Sequence, residues 1–201
     1  MGDPPFQAGR EQEQDQVATF AKLRDSTLAE LAGVLDRVDP DAYETFSATI
    51  ARANRVVCFG MGREGLALRG FCMRLAHMGF DAHMVGDVTA MPVGPGDVVL
   101  ITSGPGNLTM TRSMVELAKR AGATVVVVTA QPDAPDPTSA DFALTIPAQT
   151  MATDRDSASV LAMGTAFELA MAIFFDLAVI RIQALRGETL ESMRERHFNL
   201  E

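Results

Sequence analysis

Residues 124–129 read Thr-Val-Val-Val-Val-Thr. Four consecutive valines without polar alternation make a strand buried on both faces, the pattern of a parallel sheet covered by helices on each side. Around this run the chain alternates short β-rich segments with helical ones. Strands are expected at 55–59, 81–85, 97–102 and 142–146, and helices at 63–78 and 109–121. Gly79 and Gly122 stop those two helices. A long helix over 157–186 and a short one from residue 188 complete the chain, while 131–139, with three prolines, reads as a loop. Strand–helix alternation with short connections predicts an α/β fold, three layers deep, about a right-handed five-stranded parallel sheet.

The N-terminal quarter has a different pattern. Residues 1–15 are polar, with Pro4 and Pro5, and read as a loose tail. Over 16–54 apolar residues recur at helical spacing: Val17, Phe20 and Leu23, then Leu28, Leu31, Val34, Leu35 and Val38. Asp39-Pro40 breaks this stripe and a second helix runs over 42–53. The expected organisation is a tail (1–15), a helical arm (16–54) and an α/β domain (55–201), one domain overall for 201 residues.

Charge and cysteine content narrow the functions. Seventeen basic residues stand against 26 acidic ones, a net charge of −9, and residues 1–50 alone carry −6. Nucleic acids and anionic membranes select basic faces, so neither is an expected partner, and the arm reads as a packing or dimerisation element. Cys58 and Cys72 are too few for a disulfide framework or a four-ligand zinc site, which suits a reducing, cytoplasmic compartment. Residues 158–180 are apolar enough to suggest a membrane span, but Glu168 and Asp176 inside them favour a buried helix.

Ligands of open parallel sheets bind at the carboxyl ends of the strands. Two glycine-rich turns fall there: Gly60-Met61-Gly62-Arg63-Glu64-Gly65 after the first strand, and Ser103-Gly104-Pro105-Gly106 after the third. Glycines let backbone N–H groups approach a ligand, and a helix N-terminus favours an anion. The first turn also fits G-x-G-x-x-G, with Asp87 near the place of a ribose-binding acid, so a dinucleotide site is one alternative.

Over roughly residues 15–201 the chain resembles the sugar isomerase (SIS) family, and within it the 6-phospho-3-hexuloisomerase branch. The first turn is similar to that family's G-x-G-R-S-G, and Gly94-Pro-Gly-Asp97 leads into the third strand as its G-x-G-D does. Ser139-Ala-Asp141 and Ile146-Pro147 match the family's last strand. Met163-Gly-Thr-Ala-Phe-Glu168 matches M-G-T-x-F-E, and Arg196-His-Phe-Asn-Leu-Glu201 matches R-H-x-N-L-E. The resemblance implies a flavodoxin-like sheet and interconversion of a 3-ketohexose phosphate with fructose 6-phosphate through an enediol, which needs neither metal nor organic cofactor.

It also implies site residues. Glu168 would be the proton-transferring base, its carboxyl raised towards neutrality in an apolar helix, unless a helix terminus or an arginine satisfies it. His197 would shuttle a second proton, held in place by a neighbouring subunit. Gly60, Gly62, Arg63, Glu64, Ser103, Gly104, Gly106, Asn107 and Thr109 would hold a sugar or sugar phosphate. The family's phosphate turn runs S-x-S-G-E-T, whereas Pro105, Asn107 and Leu108 stand at its second serine, acid and threonine. Glu64 stands where the family often has serine, a carboxylate beside any phosphate, with Thr109, Thr111 and Ser113 as substitute hydroxyls and Arg63 or Arg112 as offsetting charges. Three readings follow: an isomerase, with the anionic group of its sugar elsewhere or absent; a non-catalytic sugar-binding module; and a dinucleotide binder. The apolar surfaces of the arm and the long helix imply a homo-oligomer, a dimer or a tetramer as is common in the family.

Overall fold

A computed structural model describes residues 19–155 and 159–200; the expected tail at 1–15 lies outside the described residues. Two helices open the chain, α1 (Phe20–Leu35) and α2 (Pro40–Arg52). They are followed by β1 (Arg55–Phe59), α3 (Gly62–His77), β2 (Asp81–Met84) and β3 (Val98–Thr102). Next come α4 (Thr109–Arg120), β4 (Thr124–Thr129), the short α5 (Pro135–Thr138) and β5 (Phe142–Thr145). The long α6 (Thr165–Arg186) and the short α7 (Leu190–Glu195) end it. Every strand pairing is parallel, in the order β2-β1-β3-β4-β5. The chain turns outward from β1 to β2 and then crosses back to β3, which leaves a crevice above the β1–β3 pair.

Side-chain alternation along the strands builds two cores. Val98, Leu100, Val126 and Val128 face a large apolar layer shared with α1, α2, α3 and α6, while Val99, Ile101, Val125 and Val127 pack under Val115 and Ala118 of α4. The valine run is therefore buried from both sides, and the three layers are those expected.

The arm belongs to the larger core. Phe46 of α2 is fully buried, with its ring centroid 5.3 Å from Phe174 of α6, and Phe71 stacks on Phe175 at 4.6 Å. Tyr43 donates its hydroxyl to the Leu177 carbonyl at 2.9 Å, and Glu44 pairs with Arg181 at 2.9 Å. Pro40 opens α2 behind an Asp39 cap rather than merely ending the stripe, since proline's missing N–H is harmless at a first helical position.

The long helix is shorter than expected. It begins at Thr165, because Met163 (φ 55°) and Gly164 (φ 82°) adopt left-handed backbone that an α-helix cannot contain. Residues 131–139 are not wholly loop, since they contain α5. Among the described residues no helix is long and apolar enough to cross a membrane.

Candidate active site

The first turn after β1 is built on two glycines in contact. A Cβ on Gly65 would lie 2.3 Å from the Gly60 carbonyl oxygen, and one on Gly60 would lie 2.4 Å from Thr102 Oγ1. Their bareness lets the first turn of α3 press against the end of β1. Gly62, at φ +55°, then turns the chain so that Arg63 and Glu64 rise beside the crevice. From the opposite side the left-handed pair Met163-Gly164 starts α6 there, which sets Glu168 in its first turn.

The result is an open cleft of about 550 Å³. Gly62, Arg63 and Glu64 form one wall and Thr165 and Glu168 the other; Pro105 and Leu108 close the end nearest β3. Met61, Met151, Ala162 and Met163 complete an apolar rim. Glu168 is ion-paired with Arg63, whose Nε–H donates to Oε2. The pair is asymmetric: the Glu168 side chain is 15% exposed and that of Arg63 64%, so the acid is fixed while the guanidinium reaches into solvent. Glu168 lies in the first turn of α6 with an arginine of its own chain, not amid the helix's apolar length. Both the helix N-terminus and the guanidinium surround it with positive charge.

Glu64 is the second carboxylate of the cleft. Burial pushes its carboxyl up to about 7, and the nearby Glu168 carboxylate adds to the rise. The Gly104 N–H acts in the other direction, lying 3.1 Å from each carboxylate oxygen. Gly104 must be glycine here, since a Cβ would sit 2.7 Å from Glu64 Oε1 and 2.9 Å from the Phe167 ring.

Of the residues expected to hold a sugar, the structure brings Gly62, Arg63 and Glu64 to the cleft together with Glu168. Gly60 and Gly104 shape it from beneath. The others do not line it. The Ser103 hydroxyl is buried and donates to Asp136 Oδ2 at 2.8 Å. Gly106 is a turn residue at φ +71°, packed against Ala134. The Asn107 side-chain oxygen accepts from Arg112 Nη2 at 2.9 Å, and Thr109, exposed at the start of α4, gives its carbonyl to Ser113. Among the substitutes, Thr111 is buried and Ser113 donates within α4.

His197 lies at the other end of the sheet. Its ring is 5.2 Å from that of His77, the last residue of α3. That helix starts beside the cleft and rises ~1.5 Å per residue, so its two ends are ~22 Å apart. Arg196 anchors the tail there, donating to the His77 carbonyl at 3.0 Å and pairing with Glu188 at 2.9 Å. Within one chain His197 and Glu168 do not meet.

Asp87, the candidate ribose ligand, accepts the Met84 N–H at 2.8 Å and so closes its own turn. Sequence reasoning missed Met151, Ala162, Met163 and Thr165. The last two lie inside the M-G-T-x-F-E string, but the apolar run around them reads as uninterrupted helix.

The model of the SIS domain matches residues 49–181. The chain is 34% identical over 175 residues to the 3-hexulose-6-phosphate isomerase of Mycobacterium gastri, covering 86% of each. It is 32% identical over 156 residues to the protein of that name from Bacillus subtilis, covering 76% of this chain and 83% of the other. In fold, a Methanococcus jannaschii protein, for which a molecular function of 3-hexulose-6-phosphate isomerase has been inferred, matches with a TM-score of 0.78 at 23% identity, over 90% of this chain and 99% of that one. A crevice where the strand order reverses, the Glu168 motif at its wall and relatives aligned over most of their length lead to one assignment: the chain belongs to the SIS domain family, among the relatives of 3-hexulose-6-phosphate isomerase.

Proposed function

We propose that this protein is an isomerase that moves a carbonyl between adjacent carbons of a ketose through an enediol, with Glu168 as the base. The observation that carries this reading is the Glu168 carboxylate, largely shielded from water and paired with a solvent-exposed guanidinium, at the wall of a cleft of hexose size. The Glu168 carboxylate removes the proton from the carbon beside the carbonyl, the electron pair moves towards the carbonyl oxygen, and an enediolate forms. Arg63, within reach of Glu168 and open to solvent, stabilises the charge on that oxygen. Returning the proton to the former carbonyl carbon, as the hydroxyl proton passes between the two oxygens, completes the isomerisation without net gain or loss of atoms.

A second copy of the chain is required if His197 is to take part, by setting its tail beside the neighbour's cleft. Exposed apolar side chains on the outer face of α6 (Ile173, Leu177, Ile180) and on α1 (Phe20, Leu28) support self-association into a dimer or tetramer. A reducing cytoplasmic location fits two buried, unpaired cysteines. A dinucleotide fits less well, because Asp87 is spent on its own turn and Glu64 puts a carboxylate inside the G-x-G-x-x-G turn that would hold the pyrophosphate.

The test is a conversion assay. Incubation with a 3-ketohexose and with fructose, each with and without a 6-phosphate, should yield the carbonyl-shifted isomer from at least one pair by carbon NMR. No conversion of any of the four overturns the isomerase reading.

A further inference from the structure

Moving a carbonyl along a carbon chain needs two kinds of proton transfer, one at carbon and one between the two oxygens. Glu168 is placed for the first. Within one chain His197 does not reach the second, because it lies against His77 at the far end of α3. Among the described residues that line the cleft, the ionisable side chains are Arg63, Glu64 and Glu168. Arg63 keeps its proton at any working pH and is engaged by Glu168. The Thr165 hydroxyl, also in the lining, donates to the Ala162 carbonyl at 2.7 Å. That leaves Glu64.

Its position suits the task. Glu64 stands in the first turn of α3, on the wall opposite Glu168 in the first turn of α6. The two carboxyls are close enough for the Glu168 charge to be felt at Glu64. Among the described residues no cation pairs with Glu64. The Gly104 N–H lies 3.1 Å from each of its oxygens, and the Thr102 hydroxyl is the other neighbouring donor. One N–H shared between two oxygens leaves room on the carboxyl for a proton. Burial first, and then the Glu168 charge, raise its titration to about 7, while the N–H and the hydroxyl act in the other direction. A group that titrates near working pH both gives and takes a proton readily.

We propose that Glu64 is a second catalytic residue, the acid–base group that passes the proton between the two oxygens of the enediol while Glu168 works at carbon. This rests on the isomerase reading above. The reaction starts with Glu64 protonated and Glu168 as the carboxylate. As Glu168 takes the proton from carbon, Glu64 gives its own to the carbonyl oxygen, and a neutral enediol forms. The Glu64 carboxylate then takes the proton of the neighbouring hydroxyl, a carbonyl forms there, and Glu168 returns its proton to the former carbonyl carbon. Both carboxyls end as they began, with no net gain or loss of atoms.

Conversion and carbon-bound hydrogen exchange, measured together in heavy water on the 3-ketohexose and fructose with and without a 6-phosphate, test this. Glu64→Gln keeps the shape and an acceptor for the Gly104 N–H but has no proton to transfer. The enediolate still forms in this variant and returns to the starting sugar. Conversion is therefore expected to fall about 10²-fold or more, and the ratio of exchange to conversion to rise at least about tenfold. Wild-type kcat/KM should fall above about pH 7, where Glu64 loses its proton, and the variant should lack that descending limb. Conversion by the variant at the wild-type rate overturns the proposal. So does an equal fall in exchange and conversion, which marks a structural role, or an alkaline limb that survives the substitution. A wild-type profile flat above pH 7 overturns it without any variant. The two readings fail separately: wild type that neither converts nor exchanges any of the four sugars removes the isomerase, whereas a converting wild type with any of the overturning results removes the role of Glu64 alone.

Discussion

Glu168→Gln lowers kcat by about 10²–10⁴-fold, the range for loss of a positioned general base, and leaves ligand affinity nearly unchanged. Glutamine has the same shape and its amide oxygen still accepts from Arg63, so the wall of the cleft is kept. What it cannot do is accept a proton from carbon. Steady-state kinetics on the converted sugar, with calorimetric affinity and a melting curve on the same preparation, separate the two effects. A fall in affinity that matches the fall in kcat/KM, with kcat unchanged, would make Glu168 a binding residue rather than the base.

Glu64→Gln stabilises the protein increasingly as pH rises. The Glu64 carboxyl titrates at about 7 in the folded chain, against an ordinary value of 4.5. A group whose folded value is raised contributes its full stability below the unfolded value and loses it as pH climbs through the folded one. Ionised Glu64 is thus a liability above pH 7, with a ceiling of about 3 kcal/mol from the size of the rise at ~1.36 kcal/mol per unit. At ~2–4 °C per kcal/mol for a chain of this size, the variant should melt up to ~10 °C above wild type in alkaline buffer. The gap should close towards pH 4.5. Melting curves across that range check it; a gap independent of pH would mean that the carboxyl is not held up by its surroundings.

Such a carboxylate has a use. It fixes the turn after β3 through Gly104 and gives the cleft an acceptor that is half protonated near neutrality. Natural sites often hold groups that weaken the fold and serve a ligand, and under the proposed function Glu64 would be one of them.

The sheet was legible because its signal is local. A valine run with glycines at the strand ends fixes strand positions to within a residue or two, and parallel pairing follows from burial on both faces. The cleft was half legible. Gly60, Gly62 and Gly65 sit where the spacing puts them, and Arg63 and Glu168 line the crevice as the motifs suggested. Ser103 and Asn107 look ligand-facing in sequence, but their partners, Asp136 and Arg112, are supplied by a proline-rich loop and by the next helix. Nothing near Ser103 in the chain announces an acid 33 residues later. The start of α6 was hidden for another reason: left-handed backbone at Met163 leaves no trace in an apolar composition. In the sequence Glu64 reads only as a carboxylate beside any bound phosphate. Its capture of the Gly104 N–H depends on a contact across 40 residues. His197 shows the limit most plainly, since a tail motif does not say against which end of the sheet, or against which copy of the chain, the tail will lie.

The decisive measurement is carbon-bound hydrogen exchange in heavy water, followed by proton NMR on the ketose that the protein converts. Wild type should replace the hydrogen on the carbon beside the carbonyl with deuterium, and Glu168→Gln should do so at least about a hundredfold more slowly. Exchange by the variant at the wild-type rate would contradict proton transfer through Glu168.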